Sequence, residues 1–183
     1  MCPLNTRFVR YFAVVLLVGC SEQGPTVLLG DSIMAAIKSD AINLAVSGAT
    51  LAEICKQARN VPASARLVVV EGGINDIRNG RGAQVIAYYT VILATIPGNA
   101  SVRMLGVLPV EEGKLAPEWL SVTTNEKISE LNRRIFALCR ARPNCLPHPV
   151  SPFETTDGIH PTARAIEEVR KEIIPVGLVQ PRP

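Results

Sequence analysis

Four short apolar runs, Thr26–Leu29, Ile42–Val46, Leu67–Val70 and Val102–Val107, each followed by a turn and a helical segment, constrain this chain more than any other feature. They are continuous and rich in β-branched residues, the pattern of strands buried on both faces. Elsewhere the apolar period changes. Val85, Tyr88, Tyr89, Ile92, Leu93 and Ile96 recur at helical spacing, as do Ile128, Leu131, Ile135, Leu138 and Cys139. Ile166, Val169 and Ile173 mark a last helix, with Pro161 placed to begin it, and a fifth short strand is expected near Cys145–Leu146. Parallel strands require crossover connections, so repeated strand–helix units predict an α/β fold in which helices cover both faces of a parallel sheet. Sites in such sheets lie at the carboxyl ends of the strands. The longest irregular stretch, Pro109 to Ser121, holds Glu111, Glu112 and Trp119 and reads as a solvated loop with one packing residue.

The first twenty residues follow a different pattern. Arg7 and Arg10 precede an apolar run, Tyr11 to Val18, that is too short to cross a hydrocarbon core of ~30 Å, which takes about 20 residues. This predicts a signal peptide over residues 1–19. Leu17-Val18-Gly19-Cys20 resembles the bacterial lipobox, in which the cysteine is lipidated and becomes the first mature residue. Several acyl chains, at about 0.8 kcal/mol per buried CH₂, hold a protein on a membrane far better than one. The expected organisation is a leader over 1–19, a linker over 20–25, one domain over 26–176 and a tail over 177–183. The expected location is the bacterial cell envelope, with Cys20 on the membrane and the domain in the periplasm or outside.

The formal charge of +3 does not point to nucleic acid. Without Arg7 and Arg10 the chain has 17 basic residues against 16 acidic ones, and no basic cluster remains to neutralise a row of phosphates. Beyond Cys2 and Cys20, the cysteines are Cys55, Cys139 and Cys145. The last two bracket Arg-Ala-Arg-Pro-Asn, where a helix is expected to end and the chain to turn back. In an oxidising compartment this favours a disulfide, which over so short a loop contributes roughly 2 kcal/mol. A zinc site at Cys139, Cys145 and His148 has no fourth ligand nearby. Cys55 reads as a buried apolar residue, and no metal or cofactor is expected.

Four motifs fall at loops where strands or the last helix should begin or end: Gly30-Asp31-Ser32-Ile33, Ser47-Gly48, Gly73-Ile74-Asn75-Asp76 and Asp157-Gly158-Ile159-His160. Serine attack on an acyl carbon needs a base for the hydroxyl proton, a group to orient that base, and donors for the oxyanion. Each part has a candidate. Ser32 sits at a strand-to-helix turn, Asp157 and His160 are close enough for one turn to hold carboxylate against imidazole, and Gly48 and Asn75 offer a backbone N–H and a side-chain amide. Asp31 and Asp76 read as holding their loops through backbone N–H groups, and His148 as structural. A Gly-x-Ser-x-Gly elbow is absent, since Ile33 and Met34 follow Ser32, and so is a phosphate-cradling loop.

In this order, from residue 30 to residue 160, the four motifs resemble the sequence blocks of the SGNH (GDSL-type) hydrolases, the second being assigned by spacing. The resemblance implies a flavodoxin-like fold of five parallel strands without a metal. It also implies Ser32 as nucleophile, an Asp157–His160 pair as its base, and an oxyanion hole from the Ser32 and Gly48 N–H groups and the Asn75 amide. The expected activity is a serine-dependent carboxylic-ester hydrolase acting on a small-molecule, glycan or lipid ester. Short, acetyl-like acyl groups are favoured, because the charged, proline-interrupted Pro109–Ser121 stretch does not look like an apolar lid or tunnel wall. The alternatives are a lysophospholipase or thioesterase of the same family, or a non-catalytic binding module that kept the fold.

Overall fold

The computed structural model describes residues 24–174, so the expected leader, Cys20 and the tail lie outside the described residues. Five strands, β1 (Thr26–Leu29), β2 (Ile42–Asn43), β3 (Leu67–Glu71), β4 (Ser101–Gly106) and β5 (Cys145–Pro147), form one all-parallel sheet in the order β2-β1-β3-β4-β5. This is the flavodoxin-like order. Side chains alternate across the pleat. Val27, Leu29, Val68, Val70, Val102 and Met104 pack under α2 (Leu51–Ala58), α4 (Val85–Thr95) and α6 (Asn125–Arg140). Leu28, Val69 and Leu105 pack on the other face with Ile33 and Met34 of α1 (Ser32–Ala35) and Val169 and Ile173 of α7 (Ala163–Ile173). Each large apolar side chain buried this completely contributes about 1.5–3 kcal/mol. Two short helices, α3 (Ile74–Arg78) and α5 (Pro117–Leu120), sit in the connections after β3 and β4.

The structure corrects the expected elements in three places. The run Ile42–Val46 forms only a two-residue strand, and Ile42 (40% exposed) and Val46 (58%) are not buried. β2 is an edge strand with one neighbour, so the rest of the run, though Leu44 and Val46 still donate to Leu28 and Gly30, drifts out toward Ser47-Gly48. β5 is the opposite edge, and Leu146 is likewise exposed. Pro161 does not begin the last helix. Thr162 is the N-cap of α7, its hydroxyl accepting from the Ala165 N–H, a bond no proline can offer. The 109–121 stretch is not simply solvated: it contains a 3₁₀ turn at Glu112–Lys114 and α5, begun by Pro117.

Cys139 in the last turn of α6 and Cys145 at the start of β5 are joined in a disulfide. The chain reverses between them through Asn144 at a φ of 61°, a left-handed conformation that asparagine tolerates. Arg142 holds this turn to the end of α4 by donating to the carbonyls of Leu93, Ile96 and Pro97. Cys55 is buried in the core, as expected, and burial pushes its thiol up.

Candidate active site

The site is assembled at the carboxyl ends of β1 and β3. Gly30 follows β1 and is fixed by Gln57 of α2, whose amide accepts from its N–H at 2.9 Å and donates to its carbonyl at 3.0 Å. Asp31 caps α1, its Oδ1 accepting from the Ile33 N–H at 3.1 Å. Ser32 is therefore the first residue of a helix, with a backbone N–H that no carbonyl of that helix can reach. Asn75 lies in the first turn of α3 and donates to the carbonyl of Ala49 at 3.0 Å and to Asp31 Oδ2 at 3.4 Å. Its amide thus lies between the turn carrying Ser32 and the loop carrying Gly48. Gly48 is exposed at a φ of 76°, and among the described residues its N–H meets no acceptor. Asp76, the next residue, accepts from the Leu51 N–H at the start of α2 at 2.8 Å, as a loop-holding acid should.

The fourth motif reaches the serine from the segment before α7. Asp157 Oδ1 accepts from the N–H groups of Ile159 (3.0 Å) and His160 (2.8 Å), which winds the motif into a tight turn. Asp157 Oδ2 then lies 2.7 Å from His160 Nδ1, and His160 Nε2 lies 3.1 Å from Ser32 Oγ. Both distances are those of hydrogen bonds. Burial pushes the Asp157 carboxyl up, but hydrogen bonds from the backbone and ring of His160 and from Ile159 outweigh it and hold the pKa down at about 2. The carboxylate is therefore ionised at any ordinary pH. The site is open, with the His160 and Asp157 side chains 47% and 54% exposed.

All five residues singled out from the motifs come together here. Several others at the site were not singled out for it. Glu111 accepts from the Thr155 N–H and hydroxyl, and its own N–H donates to Gly158, so the loop after β4 buttresses the turn holding Asp157. Glu112 accepts from the Asn125 N–H that opens α6. Arg78 follows Asn75 by three residues, donates to its Oδ1 at 3.5 Å, and stacks 3.1 Å from the centre of the Trp119 ring. The sequence signal for Arg78 was its helical spacing from Asn75. Glu71, fully buried at the end of β3, was hidden because the apolar run reads as ending at Val70. His148 instead faces Glu172 of α7, Nε2 to Oε1 3.3 Å, where burial lowers its pKa.

Residues 17–165 match the family model described as GDSL-like Lipase/Acylhydrolase. No curated protein matches the chain in a sequence search. Among solved structures, one whose description names a platelet activating factor from Streptococcus pneumonia is similar, with a TM-score of 0.70, 18% identity and 84% of each chain covered. TesA is similar with a TM-score of 0.57 and 22% identity, over 84% of this chain and 99% of that one. A protein from Slackia heliotrinireducens assigned to the SGNH hydrolases gives a TM-score of 0.53 and 18% identity, over 81% and 97% of the two chains. At these identities the three structures speak for the fold.

Proposed function

Since the chain belongs to the GDSL-like lipase/acylhydrolase family and is an ester-bond hydrolase, we propose that Ser32 attacks short-chain carboxylic esters of polar alcohols in the cell envelope. The observation that carries the mechanism is the relay from Asp157 Oδ2 through His160 to Ser32 Oγ, at 2.7 and 3.1 Å. His160 Nε2 takes the hydroxyl proton as Oγ bonds to the acyl carbon. The carbonyl oxygen becomes an oxyanion facing the Ser32 and Gly48 N–H groups and the Asn75 amide. Collapse breaks the bond to the alcohol, which leaves with the proton from His160. Water, activated by the same imidazole, then hydrolyses the acyl-Ser32 ester.

The preference for short acyl groups is supported by the exposure of the relay and by where apolar space is found. A groove of about 520 Å³ runs along α6, lined by Leu105, Phe136 and Val150 among others, but by none of the five site residues. A long acyl chain binds well only in a largely buried, mostly apolar pocket. The rim nearest Asn75 instead carries the Arg78–Trp119 pair, which suits a polar alcohol. The test is kcat/KM against acyl length on one leaving group. A monotonic fall beyond about four carbons is expected, whereas a maximum at about eight or more favours the lysophospholipase or thioesterase reading.

The envelope location rests on the Leu17–Cys20 motif and on a disulfide, Cys139–Cys145, of the kind that persists in oxidising compartments. Cys20→Ala should release the protein from the membrane fraction or block its processing. A mature protein whose intact mass shows an unmodified N-terminus upstream or downstream of Cys20 removes the anchor.

A further inference from the structure

Glu71 ends β3 with no exposed surface, directly beneath the turn that presents Ser32. Its Oε2 accepts from the Asp31 N–H at 3.4 Å, and its Oε1 is buried without a donor. Asp31 is equally buried, and its charge faces the Glu71 carboxyl. The titratable groups around them are Asp76 on α3, Tyr89 on α4, whose hydroxyl donates to Gly72, and His160 across Asp31. Gly30 also closes on Glu71, since a Cβ there would meet its Oε2 at 2.8 Å. Among the described residues no lysine or arginine forms an ion pair with either acid. Two carboxylates cannot both be ionised in contact, out of water and without a cation.

Asp31 is the member that must keep its charge. Its Oδ1 holds the Ile33 N–H and its Oδ2 draws on the Asn75 amide, so it links the nucleophile's turn to the oxyanion donor. That link has a cost. An unrelieved Asp31 charge competes with the oxyanion for the Asn75 amide and repels the negative charge that develops in the transition state.

We propose that Glu71 is a positioning residue of this site: as a neutral carboxylic acid it donates to the Asp31 carboxylate and leaves the Asn75 amide to the oxyanion. The inference rests on the ester-hydrolase reading of the Ser32 site. Glu71 touches no substrate and acts only through Asp31. Burial raises both carboxyls, but at Asp31 the Ile33 N–H and Glu71 oppose it, whereas at Glu71 the Asp31 charge adds to it and pushes the carboxyl well above the usual range. A carboxyl whose pKa is raised by folding contributes its stability fully below the unfolded value near ~4.3, and loses it progressively as the pH rises toward the folded value.

The experiment compares wild type, Glu71→Gln and Glu71→Leu, measuring kcat and KM on p-nitrophenyl acetate and Tm across a pH series. The amide of Gln donates to Asp31 as the acid does, so Glu71→Gln should keep kcat. Glu71→Leu should lower kcat by about 10²-fold with much less change in KM, the signature of lost transition-state alignment. Glu71→Gln never has to give up a proton, so its Tm relative to wild type should climb between about pH 4 and pH 8. A Tm difference that stays flat over that range overturns the proposal, and so does a kcat in Glu71→Gln as low as in Glu71→Leu. If Glu71→Leu does not fold, the Gln variant's kcat and the Tm series still decide. Absence of esterase activity in wild type sinks the functional reading, whereas the Tm series tests the neutral acid without any turnover.

Discussion

Ser32→Ala will reduce ester hydrolysis by roughly 10⁴–10⁶ in kcat, toward the level left by binding and the oxyanion donors alone. The substitution removes one hydroxyl, whose hydrogen bond is to His160 Nε2 in an open part of the molecule. The cap of α1 is untouched, because Asp31 and not Ser32 accepts from the Ile33 N–H. Fold and Tm should therefore be unchanged, which separates loss of chemistry from loss of structure. Labelling by a fluorophosphonate probe should vanish with activity, since the probe reports the same activated oxygen. Near-normal turnover in the purified variant ends the Ser32 mechanism. A wild type that is folded yet neither labelled nor active favours the non-catalytic binding module.

What could be read in the sequence, and what could not, divides along the range of the interactions. β1 was legible to the residue, and β3 and β4 to within one or two, because a central strand is apolar on both faces and its run ends where the sheet ends. β2 was overextended because its edge position depends on the order of strands, which no local pattern states. The motifs stand out in sequence because acyl transfer needs particular side chains at loops, and the fold joins Ser32 to His160 and His160 to Asp157 while Asn75 donates to Ala49 beside Gly48. The buttressing does not stand out. Glu111 reads as part of a solvated loop and its side chain is 39% exposed, yet its carboxylate also accepts from Thr155, 44 residues on. Glu71 lies one residue past the Leu67–Val70 run, and only the three-dimensional structure, with Asp31 40 residues away donating to it, shows it as a buried acid. Trp119 reads as a packing residue and does pack against the core, and its ring also lies against the Arg78 guanidinium, which no local pattern states. The Cys139–Cys145 bond was within reach of sequence because it closes a local turn.

Asp157→Asn is expected to cost about 10⁴ in kcat while leaving the backbone of its loop in place. The reason lies in which atoms of Asp157 do what. Oδ1 accepts from the N–H groups of Ile159 and His160, and an asparagine oxygen can take over that work, so the turn survives. Oδ2 faces His160 Nδ1 at 2.7 Å, where asparagine must place its NH₂ group. A donor there requires Nδ1 to be the acceptor, which moves the ring proton to Nε2, opposite Ser32 Oγ. The imidazole then presents an N–H to the hydroxyl it should deprotonate. Fluorophosphonate labelling should slow with kcat, because both depend on the same proton transfer, while KM changes little. Stability gives an independent check on the carboxylate. Its pKa is about 2 in the folded chain, below an unfolded value near ~3.9. The stability it contributes is therefore present above the unfolded value and lost as the pH falls toward 2. The Tm lead of wild type over Asp157→Asn should accordingly shrink on acidification. An Asn variant with wild-type kcat at neutral pH shows instead that Asp157 does not orient the base, and assigns that task to the backbone of the turn.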